Sequence, residues 1–285
     1  MFVQYVVNGL LIGSVYACLA VGFSLVWGVL NIINMVHGAF VVLGAYIVIF
    51  CVPALGLSPV VVTAIACLVL FALGYAVQRS LINKIVAAPI FITMTLTFGL
   101  DLLLQNFMLR AFSATPRSLQ LDYGSLFVGG VSISISRLGA MGLALALTGL
   151  LYWLLKRSRI GRAIVAVRMD RHAATLLGIE VERIYAITFG VGALMAAAAG
   201  GAMAMIFPIT PLLDGIFLGK AFVICVLGGL GSVPGALVGG LALGLLESFG
   251  ALAFGAQWSA TVGFAVMLLV LTVRPTGLVG RAGFE

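Results

Sequence analysis

Charged residues are unusually few in this chain. Among its 285 residues only 8% are Asp, Glu, Lys or Arg, whereas 63% are hydrophobic and the mean hydropathy is +1.28. A water-soluble globule of this length has no interior large enough to hide so much apolar surface from water. The composition therefore excludes a soluble globular protein and places the chain in a lipid bilayer.

Residues that hold metals or form disulfide frameworks are also few. The four cysteines are widely spaced within apolar runs and form no C-x-x-C pair, which argues against a zinc site, haem attachment or a disulfide framework. Only His37 and His172 are available as histidines, and no acid, base or metal-binding residues converge on either in the sequence. An intramembrane enzyme is therefore disfavoured.

The chain also lacks a phosphate-binding loop. No G-x-x-x-x-G-K-[ST] motif occurs, and the glycine-rich stretch 228–240 follows no predicted strand, so we expect no ATP site and no cofactor in this chain. Residues 1–12 carry no Lys or Arg and no cleavage site, so we expect no removable signal peptide. The basic residues occupy short connections, a distribution that predicts no nucleic-acid partner.

What the chain does have is apolar runs near or above the length that crosses a bilayer as a helix. They lie near residues 5–30, 38–51, 58–78, 89–109, 138–155, 184–206, 217–232, 235–252 and 257–273. The runs 38–51 and 217–232 are short, so either could be a broken or re-entrant helix. The sequence predicts an all-α integral membrane protein with eight or nine transmembrane helices in one domain, 1–285.

The basic residues predict the orientation of these helices. Residues 156–183 hold seven of the fifteen Lys and Arg residues, so this loop is predicted to be cytoplasmic. Arg79, Lys84, Arg274 and Arg281 then fall on the same side, which makes eleven of fifteen. If nine segments cross, the N-terminus is extracytoplasmic.

Polar residues inside the apolar runs are candidates for a substrate pathway, because such residues must face protein or water at membrane depth. Asn34 and His37 lie between the first two runs, where they either cap a helix break near the cytoplasmic surface or contact a substrate or gate. Asp101 and Gln105 share a helix face and follow Thr95 and Thr97. These four either line a passage or form an interhelical hydrogen-bond cluster.

Three further charged residues lie near the ends of later runs. Glu247 is a candidate for the pathway, or it is a hydrated carboxylate close to the outer end of its span. Asp214 and Lys220 flank a short apolar segment after two helix-breaking prolines. They either pair with each other or mark the mouth of a passage.

At this point three stretches resemble a known family, the LivH-like permease subunits of bacterial ABC importers of the branched-chain amino acid type. The resemblance covers nearly the whole chain. Its motifs are NIINMVHG at 31–38 with LGAY at 43–46, the loop 161–179 ending in LLGI, and GGLGSVPGALVGG at 228–240. The chain departs from the family at Ala39, where members often carry Glu, and at Arg171 and His172, where the loop lacks a Glu.

The resemblance implies that the loop is a coupling helix, which rests in a cleft of an ATPase subunit. Arginines would then face an acidic rim, Ala173, Ala174, Leu176 and Leu177 would make apolar contact, and Gly178 would end the helix. The residues assigned to coupling are Gly161, Arg162, Arg168, Asp170, Ala173, Ala174, Leu177 and Gly178. The alternative is an amphipathic helix that lies on anionic membrane lipid.

The same resemblance implies the assembly. The chain would form half of a central passage, with the larger type II-like importer fold, in the bacterial cytoplasmic (inner) membrane. Its partners would be a second, LivM-like permease, two ABC ATPase subunits that bind ATP and Mg, and an extracytoplasmic solute-binding protein. The substrate would be a hydrophobic amino acid or a similar small carboxylate or amide. The rival hypothesis is an ion-coupled secondary transporter with Asp101 and Glu247 as coupling sites.

Overall fold

Helices dominate the computed structural model, which describes residues 2–86, 88–119, 121, 123–128, 130–274 and 276–279. In chain order the described α-helices are α1 (Phe2–Leu30), α2 (His37–Leu55), α3 (Pro59–Ser80), α4 (Ile90–Phe112), α5 (Ile135–Arg157), α6 (Arg159–Met169), α7 (Arg171–Leu176), α8 (Val181–Ala204), α9 (Asp214–Gly228), α10 (Val233–Phe254) and α11 (Ser259–Val273). Single 3₁₀ turns at Ile82–Lys84, Pro211–Leu213 and Ala256–Trp258 extend three of them.

Nine of these helices, counted with their 3₁₀ turns over the described residues, are long and apolar enough to cross a membrane. The all-α membrane class is therefore confirmed, at the upper of the two expected counts. The two short runs both form such helices, with 19 residues in α2 and 18 in α9 together with its preceding turn. Arg281, assigned above to the cytoplasmic side, lies outside the described residues.

Two helices form the interior of the bundle. In their most apolar windows, 89% of α1 and 83% of α8 is buried, against 11% for α4 and for α11. Small residues allow this burial: a Cβ added at Gly244 of α10 would lie 2.4 Å from the Cα of Gly13 in α1. The two helix backbones therefore approach closely and gain van der Waals contact. Such contact stabilises helix association in lipid, where the hydrophobic effect does not.

The junction between α1 and α2 is a break inside the bundle. Residues 31–36 are not helical, and Asn31 has φ 55°. The ring of His37, the first residue of α2, lies 3.0 Å from the carbonyl oxygen of Leu19 through Nε2 and packs edge-on against Phe23. Leu19 lies about 16 Å along the axis before the end of α1. The second helix therefore begins beside the middle of the first.

One element was not predicted from the sequence, a β-hairpin between α4 and α5. Strands β1 (Ser125–Val128) and β2 (Val131–Ser134) pair antiparallel, with Ser125 opposite Ser134. The Gln4 side chain donates to the carbonyl of Ser132 at 2.8 Å and accepts from its N–H at 2.9 Å. The hairpin thereby fixes the first turn of α1.

Candidate functional site: an arginine-rich loop and two polar clusters

The α6–α7 loop, residues 158–180, projects from one end of the bundle as two short helices. Ser158 caps α6 by accepting from the N–H of Gly161 at 2.8 Å. A Cβ at Gly161 would lie 2.4 Å from the carbonyl oxygens of Leu154 and Leu155, so the corner between α5 and α6 has room only for glycine. This close approach explains why the loop begins with that residue.

Helix α7 has a built cap at each end. Asp170 accepts from the backbone N–H groups of His172 and Ala173 at 2.8 and 3.0 Å, and these two hydrogen bonds lower the pKa of its carboxyl group. At the other end Gly178 has φ 79°. Its N–H and that of the next residue bond the carbonyls of Thr175 and Ala174, which is the Schellman arrangement. The predicted C-cap at Gly178 is confirmed.

The apolar surface of the loop differs from the predicted one at a single residue. Leu176 is 89% exposed, Leu177 80% and Met169 78%, whereas Ala174 is 2% exposed. Ala173 is exposed as expected. Ala174 therefore packs against the core and holds α7 on the bundle. Leu176, two residues later, is turned about 200° around the helix and points to solvent, and Leu177 follows the last residue of α7.

The same loop carries several arginines. Arg162, Arg168 and Arg171 are all exposed. Arg162 donates to the carbonyl of Arg157 at 3.1 Å. The Nη2 of Arg168 would lie 3.5 Å from a Cβ at Gly231, and Gly231 itself packs on Gly28 near the end of α1. The loop thus contacts the α9–α10 turn and reaches α1 through it.

A first buried polar cluster lies where α4 and α9 meet the start of α2; we call Asp101, Gln105 and Asp214 the carboxylate cluster. Gln105 donates to Oδ1 of Asp214 at 3.0 Å, and the N–H of Gly215 donates to the same oxygen at 2.8 Å. Asp101, one turn before Gln105, is close enough to Asp214 for electrostatic interaction and faces the N–H of Ala39. The backbone of Asp214 touches Gly38.

The broken junction adds more polar atoms beside this cluster. Thr97 donates to the carbonyl of Ile33 at 3.0 Å and accepts from the N–H of Met35 at 3.2 Å, so α4 is attached to residues 31–36. Asn34, between those two residues, is 1% exposed, and neither atom of its amide has a partner among the described residues. His37 is fully buried, with Nδ1 unpartnered there.

Thr95 does not join this cluster. It lies on the opposite face of α4 and is exposed, and its hydroxyl donates to the carbonyl of Phe91, one turn earlier, at 2.8 Å. It borders an open apolar groove near Lys84. Thr97, Asp101 and Gln105 therefore share one face of α4, and Thr97 joins this face to the broken junction that holds Asn34, whereas Thr95 lies apart from them.

A second buried polar cluster, Tyr16, Lys220 and Glu247, joins α1, α9 and α10; we call it the triad. Lys220 Nζ lies 2.7 Å from Oε1 and 2.8 Å from Oε2 of Glu247, and the Tyr16 hydroxyl donates to Oε2 at 2.8 Å. Lys220 also contacts the Tyr16 hydroxyl and lies 4.4 Å from the centre of its ring. Glu247 therefore stands apart from the carboxylate cluster, and Lys220 pairs with it and not with Asp214.

A comparison with known protein families identifies one that covers these elements. The chain matches the family model described as "Branched-chain amino acid transport system / permease component" over residues 5–271. The chain belongs to this family.

Full-length relatives of this permease come from several bacteria. It is 34% identical to the high-affinity branched-chain amino acid transport system permease protein BraD of Pseudomonas aeruginosa, over 100% of this chain and 97% of the relative. With the same coverage it is 33% identical to LivH of Escherichia coli K12 and 32% identical to LivH of Salmonella typhimurium. The relatives are transport permeases and not enzymes. No solved structure matches the chain.

Sequence reasoning missed one member of the permease's polar clusters, Tyr16, and one pairing, that of Gln105 with Asp214. Asp214 was noted, but its partner Gln105 lies 109 positions away, and no spacing rule reveals such a pair. Tyr16 gave no signal, since a tyrosine in an apolar span ordinarily places its hydroxyl at a membrane interface. Among the described residues no group of three or more His, Cys, Asp or Glu could hold a metal ion, so the clusters are not metal centres of that kind.

Proposed function

We propose that this chain is a transmembrane permease subunit of an ATP-driven importer in the bacterial cytoplasmic membrane, and that it forms half of the translocation pathway. The substrates would be branched-chain or other hydrophobic amino acids, or similar small carboxylates and amides. Two ABC ATPase subunits would bind ATP and Mg. A second, LivM-like permease would complete the passage, and an extracytoplasmic solute-binding protein would deliver the substrate.

The observation that carries this proposal is α7, a six-residue helix capped at both ends that presents two leucines to solvent. Leu176 and Leu177 are 89% and 80% exposed, and a soluble loop gains nothing by exposing them unless a partner covers them. The arginines of the same loop would add electrostatic steering toward an acidic rim. Such a surface suits a cleft in a partner protein.

A movement of α7 has a direct route to the membrane helices. Helix α6 contacts α1 and α8, and Arg168 reaches the α9–α10 turn that packs on Gly28. Helix α1 is followed by the broken segment 31–36, which Thr97 ties to α4 beside the carboxylate cluster. A tilt of α7 driven by ATPase closure would therefore reach the broken junction through α1.

The first test is purification of the tagged chain from its native membrane in mild detergent, followed by mass spectrometry. We expect two ATPase species, a related permease and, in proteoliposomes with the binding protein, ATP-dependent uptake of leucine. Recovery of the chain alone, still active in uptake driven by an ion gradient, would overturn the proposal in favour of a secondary transporter.

The second test addresses α7 directly. The double variant L176E/L177E should insert in the membrane normally but lose both ATPase association and uptake, because two carboxylates replace the apolar contact. Val165→Glu is the matched control, since Val165 is an apolar residue of α6, 45% exposed, that lies outside α7. Uptake at the wild-type rate in the double variant would refute the coupling role of α7.

A further inference from the structure

The carboxylate cluster contains two acids without a cation. Each has an oxygen that is buried and has no hydrogen-bond partner among the described residues: Oδ1 of Asp101 and Oδ2 of Asp214. Asp214 is 3% exposed. No ion pair joins either carboxylate to a Lys or Arg in the described part of the chain, where Lys220 pairs with Glu247 instead. Asp101 is half-buried, with Oδ1 as its buried oxygen. A buried carboxylate beside a second acid is costly without a counter-ion unless a proton or a cation neutralises the charge.

The other carboxylate oxygen of each acid is held in place by hydrogen bonds. Oδ1 of Asp214 is fixed by Gln105 and by the N–H of Gly215, and Asp101 faces the N–H of Ala39 at the start of α2. One oxygen of each acid is therefore positioned by the protein, while the other is left over. Asn34 supplies a second observation. It lies between the two residues that Thr97 bonds and is only 1% exposed, and neither atom of its side-chain amide has a partner within the described chain.

Metal ions fit these groups poorly. Calcium requires six to eight oxygen ligands and magnesium a near-ideal octahedron, whereas no group of three acidic or metal-ligating side chains exists in the described residues. A primary ammonium group fits better, since it carries three N–H donors and forms short, charge-assisted hydrogen bonds with carboxylates. The two unpartnered carboxylate oxygens supply acceptors for two of them.

The surroundings also match the rest of an aliphatic amino acid. Leu100 and Leu104 are partly exposed leucines of α4, next to Asp101 on the helix and packed at the edge of the core. Leu104, three residues after Asp101, lies on the same side of α4, whereas Leu100 is turned about 100° away around the helix. An ammonium group held by the acids would place an aliphatic side chain near Leu104.

We propose that Asp101 and Asp214 together bind the α-ammonium group of the amino acid during its passage through the permease. This rests on the proposed function, since it assigns the substrate's amino group to a named pair of residues in the pathway. Leaving the site requires only that the acids separate, and α4 and α9 are different helices, so relative movement of the two would release the ligand.

The test measures binding and uptake separately, on the complete complex with its ATPases. Tritiated leucine is bound to the complex in nanodiscs without the solute-binding protein, and displaced by isoamylamine, which has the amine alone, or by 4-methylpentanoate, which has the carboxylate alone. We expect isoamylamine to displace leucine and 4-methylpentanoate to fail. Replacing sodium chloride by choline chloride should leave binding unchanged, whereas competition by sodium would identify a sodium site and overturn the proposal.

The variants are Asp101→Asn and Asp214→Asn, with Glu182→Gln, an exposed carboxylate in the first turn of α8, as the control. Loss of one charge-assisted hydrogen bond should weaken leucine binding roughly tenfold to a hundredfold in each Asn variant and abolish the effect of isoamylamine. The control should bind like the wild type. Melting temperatures show whether each variant is folded, and Asp101→Glu, which keeps the charge, should retain displacement by the amine.

The outcomes separate this proposal from the proposed function. A wild-type complex without ATP-dependent uptake of any branched-chain amino acid overturns the proposed function. A complex that takes up leucine, while folded Asn variants bind leucine as tightly as the wild type, overturns the ammonium site alone. So does uptake by a wild-type complex that binds no leucine, or displacement by 4-methylpentanoate in place of the amine.

Discussion

The triad and the carboxylate cluster are two ways of keeping charge inside the same membrane bundle. In the triad a lysine and a glutamate lie 2.7 Å apart, at 14% and 12% side-chain exposure, and a tyrosine hydroxyl occupies the second carboxylate oxygen. In the carboxylate cluster two acids lie near each other, and each keeps one buried oxygen without a partner in the described chain. The charges of the triad have partners within the triad, whereas the carboxylate cluster has two carboxylate oxygens without a partner in the described chain.

This difference separates a structural role from a functional one. Buried polar groups in proteins are ordinarily hydrogen-bonded, so a buried unpartnered atom calls for an explanation such as a ligand. The triad satisfies its own charges and ties α1, α9 and α10 together, which makes it a support of the bundle. The carboxylate cluster lacks one positive charge, which a substrate can bring. Hydropathy alone ranks Glu247 and Asp101 as equal candidates; their partners distinguish them.

The largest expected effect comes from breaking the triad. Lys220→Met leaves Glu247 buried without its cation, and removing one partner of a buried ion pair costs about 3 to 5 kcal/mol. The melting temperature of the complex in nanodiscs, or unfolding in a titration with SDS, should show the loss. The double variant K220M/E247L should recover most of it, because it removes both charges.

Equal stability of Lys220→Met and wild type would contradict the support role of the triad. A double variant no more stable than the single one would show that the charges are not coupled. Phe222→Leu, a conservative change at a 39% exposed residue of the same helix, controls for disturbance of α9 itself.

Removing one charge from the carboxylate cluster should not lower the stability of the protein. Asp214→Asn keeps an oxygen for the donors at Gln105 and Gly215, and removes the repulsion between the two acids. We therefore expect its free energy of unfolding to change by less than about 1 kcal/mol, or to rise, in the same SDS titration. A loss as large as that of Lys220→Met would mean that the two acids are structural, and would remove the contrast between the clusters.

Much of the fold follows from the sequence, for physical reasons. A run of about 20 apolar residues has few places to go other than across a bilayer, so the spans were predictable. Gly178 was predictable as a C-cap because the residue at that position needs a left-handed backbone. The apolar run at residues 38–51 also predicted α2, but it did not predict that α2 begins beside the middle of α1.

What the sequence could not give depends on how helices rotate and meet. The pairing of Lys220 with Glu247, and not with Asp214, is set by the approach of α9 to α10. Ala174 faces inward although its neighbours in sequence face solvent, because α7 rests on the bundle through one side only. The hairpin at residues 125–134 consists of two four-residue strands, too short for an alternating pattern to stand out from the surrounding loop.

The smallest expected effect concerns Asp170, a carboxylate that has its partners and also lies in water. The N–H groups of Ala173 and His172 lower its pKa below the ordinary value. A lowered pKa means that the cap contributes to stability above the unfolded-state value, about 3.9, and loses this contribution as the pH falls through the folded value. Between pH 5 and pH 8 the cap should therefore not change.

Amide chemical shifts of His172 and Ala173 in a labelled sample measure this directly. They should stay constant down to about pH 5 and move only as the pH falls below about 4, where Asp170 takes up its proton. Asp170→Asn retains an acceptor and should show no such transition, while Asp170→Ala should lack the capped shifts at every pH. A transition well above pH 5 would instead contradict the Asp170 carboxylate as the cap of the helix that holds the two exposed leucines.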